Sequence, residues 1–254
     1  MRLEGKVALI TGGYSGIGKA TAYLFARQGA SVVIAGRNEE KGSQLVADIL
    51  ASGGDACFVR CDVRLADDCQ RTVETTVERY GRLDILVNNA GVVIPGRAED
   101  LDEATWDLAM DTNAKGVFLM CRAAIPVMRR QGGGAIVTNA SDSGMVGEPN
   151  LVAYCASKGA AVLMSKAMAV DHAPENIRIN CVCPGPVYVG RWERRAAAGG
   201  YDVGRDVARF ASDIPMGRVG TPDEVANTIL FLASEESGFI TGAEIMVDGG
   251  RTAR

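Results

Sequence analysis

Histidine is nearly missing from this chain: His172 is the single one in 254 residues. A His-based nucleophilic triad needs an imidazole beside its nucleophile, and His172 stands at the end of a helical stretch, just before Ala173-Pro174. No Gly-x-Ser-x-Gly pentapeptide accompanies it. Serine-hydrolase chemistry and His-ligated metal sites are thereby excluded, and the site is expected to hold no metal. No apolar run reaches the roughly 18 residues of a membrane span. A basic excess is lacking too, with Lys+Arg 27 against Asp+Glu 31 and a net charge of -4. That balance argues against nucleic-acid and anionic-membrane partners. Cysteine comes in an odd number, seven, and Cys57/Cys61 and Cys181/Cys183 lie in apolar, strand-like runs. They read as small hydrophobes rather than metal pairs. The charged start Met1–Lys6 leads straight into an apolar run, without a signal-peptide pattern. Reduced thiols and a cytoplasmic location are expected.

What is present is a regular alternation of short apolar runs and longer helical stretches. The strand-like runs are Lys6–Ile10, Ser31–Ala35, Ala56–Arg60, Asp84–Asn88, Ala135–Thr138, Arg178–Cys183 and Glu244–Val247. They are almost continuously apolar, the mark of parallel strands covered on both faces. Helices are predicted over Ile17–Gln28, Glu39–Ala51, Ala66–Tyr80, Glu103–Arg130, Leu151–His172 and Pro222–Ala233. Thr221-Pro222-Asp223-Glu224 is a capped start with Pro at the first helical position. Gly159–Val170 is so apolar that it reads as a mostly buried helix. The pattern predicts an α/β fold, a doubly wound seven-stranded parallel sheet of Rossmann type, in one domain over 1–254. One segment breaks the rhythm: 189–214, with Gly190-Arg-Trp-Glu-Arg-Arg195 and Gly199-Gly200, fits a substrate lid.

The motifs fall at the strand ends. The first strand runs into Thr11-Gly12-Gly13-Tyr14-Ser15-Gly16-Ile17-Gly18. Glycine there lets the backbone turn tightly and approach a pyrophosphate, whose charge suits the helix N-terminus. The fourth strand ends in Asn88-Asn89-Ala90-Gly91, small and amide residues able to line a crevice and tie neighbouring strands. The fifth ends in Asn139-Ala140-Ser141, and the loop 142–150 can return the Ser141 hydroxyl to Tyr154. Tyr154 and Lys158 share a helix face, about one turn apart. A free Tyr titrates near pH ~10; an ammonium beside it favours the phenolate, bringing acid/base work nearer neutrality. Asn113 lies within the long predicted helix, where an amide is a mediocre helix former and needs a local reason. Pro184-Gly185 ends the sixth strand.

Together these motifs resemble the short-chain dehydrogenases/reductases, in their compact branch. The resemblance runs from Lys6 to Gly250 and includes Thr241-Gly242 and Val247-Asp248-Gly249-Gly250. It implies hydride transfer between NAD(P) and a small-molecule secondary alcohol or ketone. It implies a catalytic set of Asn113, Ser141, Tyr154 and Lys158. Tyr154 would pass a proton at the substrate oxygen and Ser141 would hydrogen-bond that oxygen. Lys158 would lower the Tyr154 pKa and grip the nicotinamide ribose, while Asn113, by distorting its helix, would hold a water linking Lys158 to solvent. The cofactor contacts implied at the turn are Gly12, Tyr14, Ser15, Gly16, Ile17 and Gly18. Arg37, Asp62 and Val63 would meet the adenosine, with Asp62 at the adenine; Asn89, Ala90 and Gly91 would line the crevice. Tyr154, Lys158, Pro184, Gly185 and Val187 would surround the nicotinamide. The family's usual Thr after Pro-Gly has no counterpart in Pro184–Val189. Tyr188 and Trp192 are candidates to close over substrate, or to pack the lid on the core.

Cofactor choice turns on Ile34-Ala35-Gly36-Arg37-Asn38. NAD-preferring enzymes place an acid at the end of this strand, where it bonds the ribose and repels a 2′-phosphate. Here Gly36 holds that position and Arg37, a possible phosphate fork, follows. NADP(H) is favoured, with NAD(H) as the alternative, since Ser15 stands where many NADP-dependent members carry a basic residue. For substrate, a small alcohol or ketone is ranked ahead of a 3-oxoacyl-acyl-carrier-protein reductase. Arg129-Arg130 could meet an acidic carrier, but His172–Glu175 adds no clear basic partner. A non-catalytic dinucleotide-binding regulator would not need the intact tetrad. Epimerase relatives carry T-G-x-x-G-x-x-G and a larger C-terminal region. The resemblance also implies a homotetramer, with Glu103–Arg130 and Leu151–His172 at one interface and the last strand at another.

Tyr154→Phe removes only the proton-transfer group. It should abolish turnover and leave dinucleotide affinity nearly intact. Retention of more than about a tenth of kcat, a loss under ~1.4 kcal/mol, would remove Tyr154 from that role.

Overall fold

The computed structural model describes residues 1–190 and 202–253. Seven strands, β1 (Val7–Thr11), β2 (Ser31–Gly36), β3 (Asp55–Arg60), β4 (Ile85–Asn88), β5 (Gly134–Asn139), β6 (Ile177–Pro184) and β7 (Glu244–Val247), form one sheet. Its order is 3-2-1-4-5-6-7 and every pairing is parallel. The predicted Rossmann arrangement is what the chain forms.

Eight α-helices flank the sheet among the described residues: α1 (Gly16–Arg27), α2 (Glu39–Ala51), α3 (Ala66–Tyr80), α4 (Glu103–Met110), α5 (Gly116–Arg130), α6 (Val152–His172), α7 (Val203–Ser212) and α8 (Pro222–Ala233). Period-2 alternation along each strand splits the core into two layers. Leu9, Val33, Leu86, Ile136 and Ile179 face α3, α5 and α6 through Val73, Met120, Met128 and Ala161. Ala8, Ile10, Ile34, Val87 and Val182 face α1, α2 and α8 through Phe25, Leu45, Ile49 and Ile229. Both faces are therefore dry, which is why the strands read as unbroken apolar runs. The start of α8 is the expected one: Thr221 and Glu224 complete a capping box with Pro at the first turn.

Two helical expectations are corrected. The single helix predicted over Glu103–Arg130 is interrupted by a five-residue π-helical segment, Asp111–Lys115, between α4 and α5. The cause is Asn113. Its Oδ1 accepts from the Val92 N–H at 2.8 Å, and its Nδ2 donates to Val92 O at 2.9 Å and Ser157 Oγ at 3.0 Å. An amide fixed from outside the helix displaces the local ladder, and a widened turn accommodates the extra residue. Helix α6 is not buried all round: Ala153, Lys158, Ala161 and Val162 are buried, while Leu163 and Val170 are 70% and 77% exposed.

Within the segment 189–214, α7 is a helix whose Asp202 side chain caps the Arg205 N–H. Trp192, the charged run to Arg195 and Gly199-Gly200 lie outside the described residues.

Candidate active site

The strand order turns back between β1 and β4, so their carboxyl ends open a crevice at the switch point. Thr11 closes β1, and its Oγ1 accepts from the backbone N–H groups of Asn89 and Ala90, both at 3.0 Å. Asn89 Nδ2 returns the contact to Thr11 O at 2.9 Å and Gly12 O at 3.2 Å. The glycine turn is thus fastened to the segment that follows β4. Gly12 has φ +62°, and a Cβ on it would lie 3.0 Å from Ala90 Cα. On Gly18 a Cβ would fall 2.4 Å from Asn89 Nδ2 and 2.5 Å from Gly12 O. Only hydrogen fits there.

Helix α1, which starts in this turn, has no side-chain N-cap and no acid in its first turn. By contrast α2, α4, α7 and α8 begin with a capping Asn38, Asp102, Asp202 or Thr221 and carry at least one acid there. A bare positive helix end over a glycine turn fits the pyrophosphate of a dinucleotide. Gly12, Gly16, Ile17 and Gly18 lie in this turn, and Val189 packs over Gly16, 3.2 Å from where its Cβ would be.

The residues expected to handle the proton lie at the carboxyl edges of β4 and β5. Lys158 is buried, its Nζ donates to Asn139 O at 2.8 Å, and it lies 5.9 Å from the centroid of the Tyr154 ring. Gly91 fits beside it, where a Cβ would be 3.1 Å from Asn113 Oδ1 and 3.5 Å from Lys158 Nζ. Ser141 caps a 3-10 turn, Asp142–Gly144, that sits against α6: a Cβ on Gly144 would be 3.0 Å from Lys158 C and O. Ser141 is buried, and its hydroxyl donates to Asp142 Oδ1 at 3.1 Å. Asn113, Ser141, Tyr154 and Lys158 therefore come from the π-helical segment, the edge of β5 and α6 to border one crevice. Pro184 and Gly185 close β6 beside Asp142, since a Cβ on Gly185 would be 3.3 Å from Asp142 Oδ2. Val187 and Tyr188 are held to Gly220, two residues before α8, by a short parallel bridge, with Tyr188 N donating to Gly220 O at 2.9 Å.

At the other end of the crevice, the Tyr14 ring lies on Gly36: a Cβ there would be 2.2 Å from Tyr14 Cε1. The ring thus fills the space that a side chain at position 36 would take. Asp62 follows β3, and its carboxylate takes a forked contact from Arg64, with distances of 2.6–3.1 Å. Arg64, and to a smaller degree Arg37, hold that carboxyl below its usual range. Val63, also buried, packs behind it, where a Cβ on Gly116 would be 2.8 Å from Val63 Cγ2. Burial pushes Cys121 and Cys183 up to about 12 and Cys181 to about 11, so they are protonated at neutral pH.

Residues 12–252 match the family model described as enoyl-(acyl carrier protein) reductase. A crystal structure of a putative short-chain dehydrogenase/reductase from Burkholderia xenovorans is 40% identical with a TM-score of 0.95, covering 100% of this chain and 98% of that one. The chain belongs to the short-chain dehydrogenase/reductase family. As a member it is an NAD(P)-dependent oxidoreductase moving hydride between a nicotinamide cofactor and an alcohol or ketone. Among its relatives, 2,5-dichloro-2,5-cyclohexadiene-1,4-diol dehydrogenase LinX of Sphingobium indicum is 41% identical over 250 residues, 98% of this chain and 97% of the relative. The 3-oxoacyl-(acyl-carrier-protein) reductase FabG of Thermotoga maritima is also 41% identical over 250 residues, 98% and 99% of the two chains.

Sequence reasoning missed four residues in this dehydrogenase/reductase site: Thr11, Asn139, Asp142 and Arg251. Asn139 had a signal, since the β4–β5 register Asn88↔Thr138 brings it beside Asn89, and its Nδ2 donates to Asn89 Oδ1 at 2.9 Å. Arg251 had none, because it meets Asp142 across 109 residues.

Asn89→Ala should loosen the glycine turn. We expect cofactor affinity, read by fluorescence titration, to fall at least about tenfold, and stability to drop by about 1–3 kcal/mol as buried partners lose their bonds. Unchanged affinity with a lowered melting temperature would confine Asn89 to folding.

Proposed function

We propose that this enzyme oxidises or reduces a small-molecule secondary alcohol/ketone pair with NADP(H) as preferred cofactor, using Tyr154, Lys158, Ser141 and Asn113. The observation that carries this reading is the buried Lys158 ammonium, anchored on Asn139 O at 2.8 Å and held over the Tyr154 ring. A bound nicotinamide would supply the hydride exchange at the substrate carbon. Tyr154 would give or take the proton at the substrate oxygen, and Lys158 would favour its phenolate by Coulomb attraction. Ser141 would hydrogen-bond the same oxygen and fix its place. Asn113, bonded to Val92 and Ser157, would keep Lys158 and Gly91 in register and border a proton path to solvent. Gly12 to Gly18 would take the pyrophosphate, and Asn89, Ala90, Gly91, Pro184, Gly185 and Val187 the nicotinamide half.

NADP(H) is favoured because Tyr14 covers Gly36 and two guanidiniums, Arg37 and Arg64, act on Asp62 at that end. A free carrier protein is disfavoured as substrate holder. Arg129 Nε is paired with Glu175 Oε1 at 2.8 Å, and Glu175 also meets His172, so the basic helix end is compensated within the chain. The free cysteines, most of them buried, suit a reducing cytoplasm.

The test is a panel of secondary alcohols, including cyclopentanol and cyclohexanol, beside 3-oxoacyl thioesters, each with both cofactors. We expect alcohols to give the higher kcat/KM and the NADP/NAD ratio to exceed one. Arg37→Ala should lower that ratio about tenfold or more, the worth of one charge-assisted contact. A wild-type ratio below one, or no change in the variant, would show that Arg37 does not read the phosphate.

We infer a homotetramer as the working state. Leu163 and Val170 lie seven residues apart on one face of α6, both largely exposed, with Phe118 of α5 and Trp106 of α4 also exposed. Strand β7 ends the sheet with one strand neighbour, leaving an edge for a partner. Sedimentation at micromolar concentration should give four chains, and Leu163→Glu should shift it to smaller species. A wild-type protein that sediments as single chains overturns the assembly.

A further inference from the structure

The Asp142 carboxylate is buried in the 3-10 turn that carries Ser141. Its Oδ1 accepts from the Ser141 hydroxyl at 3.1 Å, the Ser143 N–H at 2.7 Å and the Ser143 hydroxyl at 3.2 Å. The Ser143 N–H also points at Ser141 Oγ, at 3.2 Å. Asp142 Oδ2 is taken by Arg251 Nη1 at 2.6 Å, while Arg251 Nη2 holds Glu148. Arg251 is delivered by a turn after β7, in which Asp248 accepts from Gly250 N–H, Thr252 N–H and the Thr252 hydroxyl. Gly185 permits the approach: a Cβ there would be 2.9 Å from Asp248 Cβ and 3.3 Å from Asp142 Oδ2. Two carboxylates, one guanidinium and two hydroxyls thus converge under the serine.

We propose that Arg251, acting through Asp142, is a positioning residue that fixes the direction of the Ser141 hydroxyl. The inference rests on the reading of Ser141 as the group that bonds the substrate oxygen. A hydroxyl has one hydrogen and two lone pairs. In Ser141 the hydrogen goes to Asp142 and one lone pair to the Ser143 N–H. The lone pair left over can accept from a substrate O–H. To donate to a ketone instead, Ser141 must release Asp142. A buried carboxylate keeps its hold on its partners only with a cation against it. Arg251 is that cation, 2.6 Å from Asp142 Oδ2. Without it Asp142 turns away, and the Ser141 hydroxyl loses its fixed direction.

The experiment is a double-mutant cycle between Arg251 and Ser141, in the full-length enzyme with its preferred cofactor. The probe is cyclopentanol or, where the panel ranks it higher, cyclohexanol. Arg251→Ala should lower kcat for alcohol oxidation on the order of 10- to 100-fold, the scale of a displaced positioning group. Cofactor dissociation constants should stay within about twofold, and Arg251→Lys, which keeps the charge but not the fork that bridges Asp142 and Glu148, should recover part of the rate. In a Ser141→Ala background the same Arg251→Ala change should cost little further, since the group it acts through is gone. An equal loss in both backgrounds, or no loss in the first, overturns the proposal. If Arg251→Ala does not fold, Arg251→Gln, which keeps bulk and hydrogen-bonding groups but no charge, is carried through the same cycle under the same criterion. Ser141→Ala alone separates the two ideas: full activity there removes Ser141 from the chemistry, whereas a dead Ser141→Ala beside an unaffected Arg251→Ala removes only Arg251.

Discussion

One amide side chain, Asn89, holds this site together. Through its backbone N–H it reaches Thr11 Oγ1, through Nδ2 the carbonyls of Thr11 and Gly12, and through Oδ1 the amide of Asn139. Asn139 in turn offers its carbonyl to Lys158. The chain of contacts runs from the turn after β1, across the ends of β4 and β5, to Lys158 on α6. Each bond is worth only about 0.5–1.5 kcal/mol net. Their value is positional, because they fix the glycine turn and the buried Lys158 ammonium to one connected set of amides.

Asn113 supplies a second fastening. By bonding Val92 on both its N–H and its carbonyl, it holds the segment after Gly91. By reaching Ser157 it holds α6 one residue from Lys158. The π-helical turn is the backbone's response to that load, placed at the site as such turns often are. The dry, two-layered core beneath supplies rigidity, while the carboxyl edge carries the chemistry.

Much of this was legible because parallel strands and glycine turns obey local rules. The seven apolar runs, the Thr221 cap and the Tyr154/Lys158 spacing each depend on residues a few positions apart. The long helix over 103–130 was misread for the opposite reason: Asn113 breaks it by reaching Val92, which periodicity within the helix does not register. Arg251 and Asp142 meet only because β7 returns the chain beside β6. The exposure of Leu163 and Val170 was hidden in composition, since apolar residues facing inward and outward look alike in sequence. The steric exclusion at Gly36 required coordinates, because Tyr14 and Gly36 come together only through the β1–β2 pairing.

That last contact constrains how this chain can change over generations. Any side chain at position 36 would start within 2.2 Å of the Tyr14 ring. An acid cannot arrive there first without ejecting the ring from its seat on the glycine. Filling position 36 therefore requires Tyr14 to move or shrink, whichever nicotinamide cofactor the crevice takes. The two positions are coupled through space, and a change at one is constrained by the residue at the other.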